Sequence, residues 1–204
     1  RDYNIPLVKV PAEKLNQMVG HNRHQGVVAT ISPIPFHRLE DVIPHLFQQG
    51  KQPFFIVLEG VSDVRNLAAI ARSAHVMGVD ALVITSRNIA RINDETVRIS
   101  AGAILKLPVC REKNMPETIE TLQRNGICVL ATDVKGGAPA HAVDFSQPTA
   151  IIMGDEHHGV TPESLKAADQ KVYIPQAADF DSLNVSVAAG ILMYEVHRQR
   201  LHSK

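Results

Sequence analysis

Three stretches of the 204-residue chain gather side chains able to do chemistry: GVSDVRNLAAIARSA (60–74), IIMGDEHHGVTPE (151–163) and IPQAADFDSLNVSVAAGI (174–191). The first offers the amide of Asn66 and the guanidinium of Arg72, the second the carboxylate of Glu156 beside His157 and His158, and the third the polar pair Ser182 and Asn184. Such a set orients a polar ligand and stabilises developing charge; it is not a nucleophile-and-base triad, and no Gly-x-Ser-x-Gly elbow is present. Adjacent histidines cannot readily chelate one ion from one strand or helix face, so a metal site is not expected. Each residue also has a plainer reading. Arg72 reads as a surface cation, Asn66 as a helix cap, and Glu156 as a first-turn acid; Asp181-Ser182 reads as the cap of the closing helix. In that helix Leu183, Val187, Ile191 and Tyr194 recur at spacings of three and four, so this face is expected to pack. The free N–H groups at such a helix start could hold a polar ligand.

The elements that must position these residues follow from the apolar periodicity. FFIVLE, ALVIT, ICVLAT, TAIIM and KVYIP read as buried strands, alternating with helices over 65–77, 117–125, 161–168 and the C-terminal segment. Short strands apolar on both sides and separated by helices predict an α/β fold, a mostly parallel sheet covered on both faces. In such sheets ligands bind beyond the carboxyl ends of the strands, which is where all three polar stretches fall. No Gly-x-Gly-x-x-Gly or Gly-x-x-x-x-Gly-Lys-Ser/Thr follows a strand, which argues against a dinucleotide fold and a P-loop nucleotidase. Residues 1–50 read differently, as an N-terminal arm or linker remnant with a short helix, a short strand GVVATI (26–31), Pro-punctuated turns and a second helix. Residues 51–204 then form the catalytic domain, and the missing initiator Met fits a trimmed chain. In the arm, HNRHQG (21–26) reads as solvated, with an RNA-facing role as the alternative.

Composition sets outer bounds. Lys plus Arg and Asp plus Glu are equal at 21 each, which counts against a strongly basic nucleic-acid binder. The two cysteines, Cys110 and Cys128, have no ligand-like spacing and predict reduced thiols. The apolar runs are too short for a bilayer and no signal-peptide pattern opens the chain, so a cytoplasmic location is expected.

Taken in order, the three stretches resemble the three motifs of the SpoU (TrmH) family of RNA ribose 2'-O-methyltransferases, within the SPOUT superfamily. The resemblance runs from about residue 24 to the C-terminus, and HQGVVA (24–29) is similar to the branch that methylates a guanosine in large-subunit ribosomal RNA. It implies a C-terminal deep trefoil knot holding S-adenosylmethionine, with Gly154, Ile174, Leu183, Gly159 and Thr132 against the cofactor. It also implies a homodimer packed through the closing helix and the first motif, an RNA partner, and no DNA or membrane partner. Arg72 then acts on the ribose hydroxyl or its phosphate, as a clamp rather than a base because a guanidinium does not deprotonate. Asn66, Glu156, Ser182 and Asn184 complete the polar network. The chain departs from the family pattern at Val64, where Pro is usual, at Ala68, where Gly is usual, and at Asp155 and His157-His158, where small residues are frequent. Three other readings stand beside this one: a transfer RNA methyltransferase, a binding protein of the same fold that has lost catalysis, and a small-molecule enzyme of flavodoxin-like layout.

Overall fold

The computed structural model describes residues 7–85, 89–134, 136–155, 158–177 and 182–201. The chain divides into two compact units, residues 1–32 and 33–204. The smaller unit holds one helix, α1 (Ala12–Val19), which buries no residue and ends on Gly20 in the left-handed region at φ 72°. The strand expected over 26–31 does not form. Val27 and Ile31 stay exposed, and no neighbouring strand is present to take up their backbone N–H and C=O groups.

The larger unit is built on a seven-stranded sheet: β1 (Phe54–Leu58), β2 (Ala81–Thr85), β3 (Val109–Glu112), β4 (Cys128–Thr132), β5 (Ala138–Pro139), β6 (Thr149–Met153) and β7 (Gln170–Tyr173). Their spatial order is β3-β2-β1-β6-β4-β7-β5, and every pairing between them is parallel. β1 and β6 lie centrally, with Ile56 opposite both Leu82 and Ile151, and both are fully buried. This is why they read as unbroken apolar runs rather than alternations. β3 and β5, at the two edges, escaped sequence reading: VCRE alternates weakly, and Ala-Pro is too short to carry a period.

Alternate residues along β1 feed two cores. Phe54, Ile56 and Leu58 join α3 (Val64–Val76) and α7 (Val185–Leu201) on one face. Phe55 and Val57 join α2 (Leu39–Gln48) and α5 (Met115–Arg124) on the other. α2 thus has its buried residues Leu39, Ile43 and Leu46 inside the core of the larger unit. Its start is held from afar, since Glu112 Oε1 at the end of β3 accepts the Leu39 N–H at 2.8 Å. α4 (Asp94–Ile99), opened by an Asn93/Thr96 capping box, was likewise not read from sequence.

The closing helix corrects one expectation. Its packed face is Val185, Ala189, Leu192, Met193 and Val196, whereas Leu183, Val187, Ile191 and Tyr194 remain 38–55% exposed. Both faces are apolar at helical spacing, so periodicity alone cannot choose between them; the small Ala71, Ala74 and Ala189 let α3 and α7 approach closely and decide the matter. The far end of α7 is anchored by Arg200. Its guanidinium donates to the carbonyls of Phe145 (2.9 Å), Gln52 (2.7 Å) and Gln147 (2.8 Å).

Arg200→Met leaves three carbonyls to find new donors and is expected to destabilise the protein by about 2–4 kcal/mol, read as a lower urea midpoint at unchanged slope. Burial, followed by the charges of Glu112 and Asp41, pushes the Cys110 thiol up to about 12. A neutral disulfide reagent at pH 8 should therefore spare Cys110 in the native protein and modify it only on unfolding.

Candidate functional site

The loops after β1, β6 and β7 meet at the carboxyl edge of the sheet, and close backbone approach dictates their shape. A Cβ on Gly154 would lie 2.0 Å from the carbonyl carbon of Gly159 and 2.2 Å from the nitrogen of Val160, so only glycine fits. The turn that brings Gly159 back is closed by its N–H donating to the Asp155 carbonyl at 3.0 Å. The Asp155 carboxylate also accepts the His158 N–H at 2.6 Å, and its other oxygen lies 3.3 Å from His158 Nδ1. The aspartate that departs from the family pattern is thus a turn-forming residue.

Gly60, at φ +79°, leaves space for Asp155, whose Cβ and Oδ2 would both lie 3.3 Å from an added methyl. Beside it, the Glu59 N–H donates to the Met153 carbonyl at 2.9 Å. Its carboxylate accepts from the Thr161 N–H and hydroxyl, both at 3.0 Å, and from the Ser164 hydroxyl at 2.7 Å. This fixes the start of α6 (Pro162–Ala167) against the end of β1.

A cavity of about 610 Å³ opens beside this turn. Gly154, Gly159, Ile174, Leu183 and Thr132, the five residues expected against the cofactor, all line it, as does Ser182. Val172 and Leu192 add apolar wall. The Thr132 hydroxyl is turned to the Ile152 carbonyl at 2.9 Å.

Sequence reading missed Asp133, Val134 and Gln176, which also line the cavity. The available signal was the polar segment TDVKGG at the end of β4, a strand end like the others. There Asp133 pairs with Lys171 at 3.3 Å, and Gly137, at φ +97°, passes so close to the Lys171 carbonyl that a Cβ would lie 2.2 Å from it.

The polar residues fall into three groups. Asn66 and Asn184, 118 positions apart in sequence, meet directly, Asn184 Nδ2 donating to Asn66 Oδ1 at 3.1 Å. Asn184 is also the cap of α7. Its Oδ1 accepts the Ser186 N–H at 2.9 Å, and its carbonyl accepts from Val187 and Ala188 at 3.0 Å. Here the structure corrects the expected cap: Ser182 stands three residues before the helix and faces the cavity, while Asp181 lies outside the described residues. For α3 the cap is Asp63, whose carboxylate accepts the Arg65 N–H at 2.7 Å, which frees Asn66 for its contact with Asn184. Bonding to Arg65 holds the Asp63 carboxyl below the usual carboxylate range.

Arg72 is exposed on α3 and does not line the cavity of its own chain. Six residues at about 100° each set it roughly 120° around the helix from Asn66. Val64 and Ala68 flank this start of α3, and Ala68 is fully buried. Glu156 and His157 lie outside the described residues. Among the described residues no group of three or more His, Cys, Asp or Glu could hold a metal ion, and no helix is long and apolar enough to cross a membrane.

Comparison with known proteins gives this geometry its context. Residues 53–194 match the SpoU rRNA Methylase family, and residues 1–37 match the RNA 2'-O ribose methyltransferase substrate binding family. A putative TrmH family tRNA/rRNA methyltransferase, YacO, of Bacillus subtilis (strain 168) is 36% identical over 196 residues, 96% of this chain and 78% of its own. The SpoU methyltransferase AviRb from Streptomyces viridochromogenes, solved with AdoMet, superposes with a TM-score of 0.69 at 27% identity, covering 74% of this chain and 58% of that one. An AdoMet-bound rRNA methyltransferase from Sinorhizobium meliloti gives 0.72 at 29% identity, covering 80% and 61%. The chain spans about three fifths of these two solved chains.

A parallel sheet with this strand-end cavity, superposing on these proteins, defines the class as an α/β methyltransferase domain of the SPOUT kind. The chain belongs to the SpoU rRNA methylase family.

Replacing Gly154 by Ala forces two backbone segments apart. The variant is expected to melt at lower temperature, by about 2 kcal/mol or more of lost stability, and to lose calorimetric binding of S-adenosylhomocysteine.

Proposed function

We propose that this protein transfers the methyl group of S-adenosylmethionine to a ribose 2'-hydroxyl of structured RNA, with ribosomal RNA as acceptor and guanosine as the modified nucleoside. The observation that carries this reading is the Asn66 to Asn184 hydrogen bond, which joins the first and third motifs beside a cavity lined by all five residues expected against the cofactor.

The residues present suit such a cofactor. The cavity's size falls in the range of small-molecule sites, and Ile174, Leu183 and Val172 give apolar wall to a flat base. Thr132, Asp133 and Ser182 add polar groups, and the glycines Gly154 and Gly159 expose backbone. When bound, S-adenosylmethionine supplies an electrophilic methyl group on a sulfonium.

The chain's own work is alignment and charge stabilisation. Asn66, Ser182 and Asn184 form the polar lip that orients the acceptor ribose, with Glu156 beside them. Arg72 clamps the ribose or its phosphate and stabilises the oxygen as its proton passes to water or to a phosphate of the RNA. Because Arg72 stands away from the cavity of its own chain, the complete site is composite. A second copy packs on the exposed stripe of Leu183, Val187, Ile191 and Tyr194, with Val76 of α3 exposed as well. This gives a homodimer, and we extend the reading to a threaded, knotted C-terminal segment and a cytoplasmic location, where ribosomal RNA is found. The family match at residues 1–37 supports RNA as the acceptor, and HQGVVA (24–29) favours ribosomal over transfer RNA.

Labelled S-adenosylmethionine incubated with unmodified ribosomal RNA and, in parallel, transfer RNA should yield 2'-O-methylguanosine from the first alone, read by mass spectrometry of the digested nucleosides. Methyl groups on transfer RNA alone would move the acceptor, and binding of cofactor without transfer to either would leave the protein a binder. Arg72→Ala is expected to lower the rate by about a hundredfold or more while leaving cofactor affinity and dimer mass unchanged. Near-normal turnover would remove Arg72 from the reaction.

A further inference from the structure

A second cavity, of about 440 Å³, lies on the other side of the 155–159 turn, and the functional reading above makes no use of it. It sits where β1, β2 and β3 end, bounded by Gly60, Thr85 and Lys113, with Asn114 and Met115 of the α5 start and Thr161 before α6 completing it. Asp155, His158 and Gly159 line this cavity and the first one alike. One thin turn therefore divides two adjacent volumes, the arrangement a group transfer between two bound partners requires.

The walls of the second cavity have a definite chemistry. Its carboxylates are engaged within the protein: Glu59 by three donors from Thr161 and Ser164, and Asp155 by the His158 N–H and ring. Asn114 is committed to capping α5, accepting the Glu117 N–H at 2.9 Å. Lys113 is different. Its side chain is 80% exposed, and its only printed partner, Glu117, lies 3.7 Å away across a solvated pair. The Met115 thioether and the bare Gly60 backbone give an apolar, polarizable surface, while Thr85 brings a hydroxyl. A cation at the rim, a flat apolar wall and a few hydrogen-bonding groups within this volume match one ribonucleotide, with its phosphate, sugar and base.

We propose that this cavity is an acceptor subsite that takes one ribonucleotide of the RNA, its base against Met115 and Gly60 and its phosphate against Lys113, beside the methyl donor. The proposal rests on the reading of the protein as an RNA methyltransferase and adds to it where the acceptor strand enters.

The test is filter binding of in vitro transcribed, unmodified large-subunit ribosomal RNA to the whole chain saturated with S-adenosylhomocysteine. Lys113→Glu should weaken RNA binding about tenfold and reduce the slope of log affinity against log salt by about one. Lys166→Glu makes the same charge change on α6 at an exposed residue that lines neither cavity, and should weaken binding by no more than about twofold. Thr85→Leu, which fills the cavity, should weaken RNA binding while leaving affinity for S-adenosylhomocysteine at the wild-type value, with folding checked by circular dichroism. Equal effects of the two lysine variants, or no RNA binding by the wild type, would overturn the subsite. The two readings fail separately. Cavity-dependent RNA binding without methyl transfer sinks the activity and keeps the subsite; methyl transfer with RNA binding indifferent to Lys113 does the reverse.

Discussion

Much of the site depends on one close contact, the backbone of Gly154 lying where any side chain would strike Gly159 and Val160. β6 is central and fully buried, so its carboxyl end has no freedom to retreat. The chain must turn at once, and the Asp155 carboxylate and carbonyl hold that turn. Gly60 then makes room for Asp155, which brings the loop after β1 against the loop after β6. Glu59 completes the tie by bonding Thr161 and Ser164. Both cavities share the resulting wall, so the donor and acceptor volumes are set by the same few backbone atoms.

The second organising feature is the two-faced closing helix. One face of α7 is consumed by α3 and the sheet, and its N-terminal end is fixed by the Asn184 cap and the bond to Asn66. Its other end is held by Arg200 through carbonyls of two loops. A helix pinned at both ends presents its second apolar face, Val187, Ile191 and Tyr194, as a rigid surface. An apolar stripe in that position loses its hydration cost when a second copy covers it, and the same event would carry the exposed Arg72 of α3 toward a cavity it does not reach alone.

Legibility in the sequence followed burial and locality. β1, β2, β4, β6 and most of β7 were readable because central parallel strands are apolar on both faces, and the α3 stripe of Leu67, Ile70, Ala71 and Ala74 was readable because it packs where its period says. β3, β5 and α4 were not, being short or at an edge, and the strand over 26–31 was read where none forms. Within the site, the glycines and the Ser-Leu-Asn run stood out by type and order. Asp133, Val134 and Gln176 did not, since their place in the cavity comes from β5 lying against β7 rather than from any local pattern.

The amino-acid sequence by itself determined the α/β class, the strand ends at which polar residues gather, and the three motifs that mark the family, because these depend on residue type and short-range spacing. Only the tertiary structure decided which face of α7 packs, that Asn184 rather than Ser182 caps it, that Asn66 meets Asn184, and that a second cavity adjoins the first. Each of those is a contact between segments dozens of residues apart, where two local patterns are equally good and the close approach of backbones selects one.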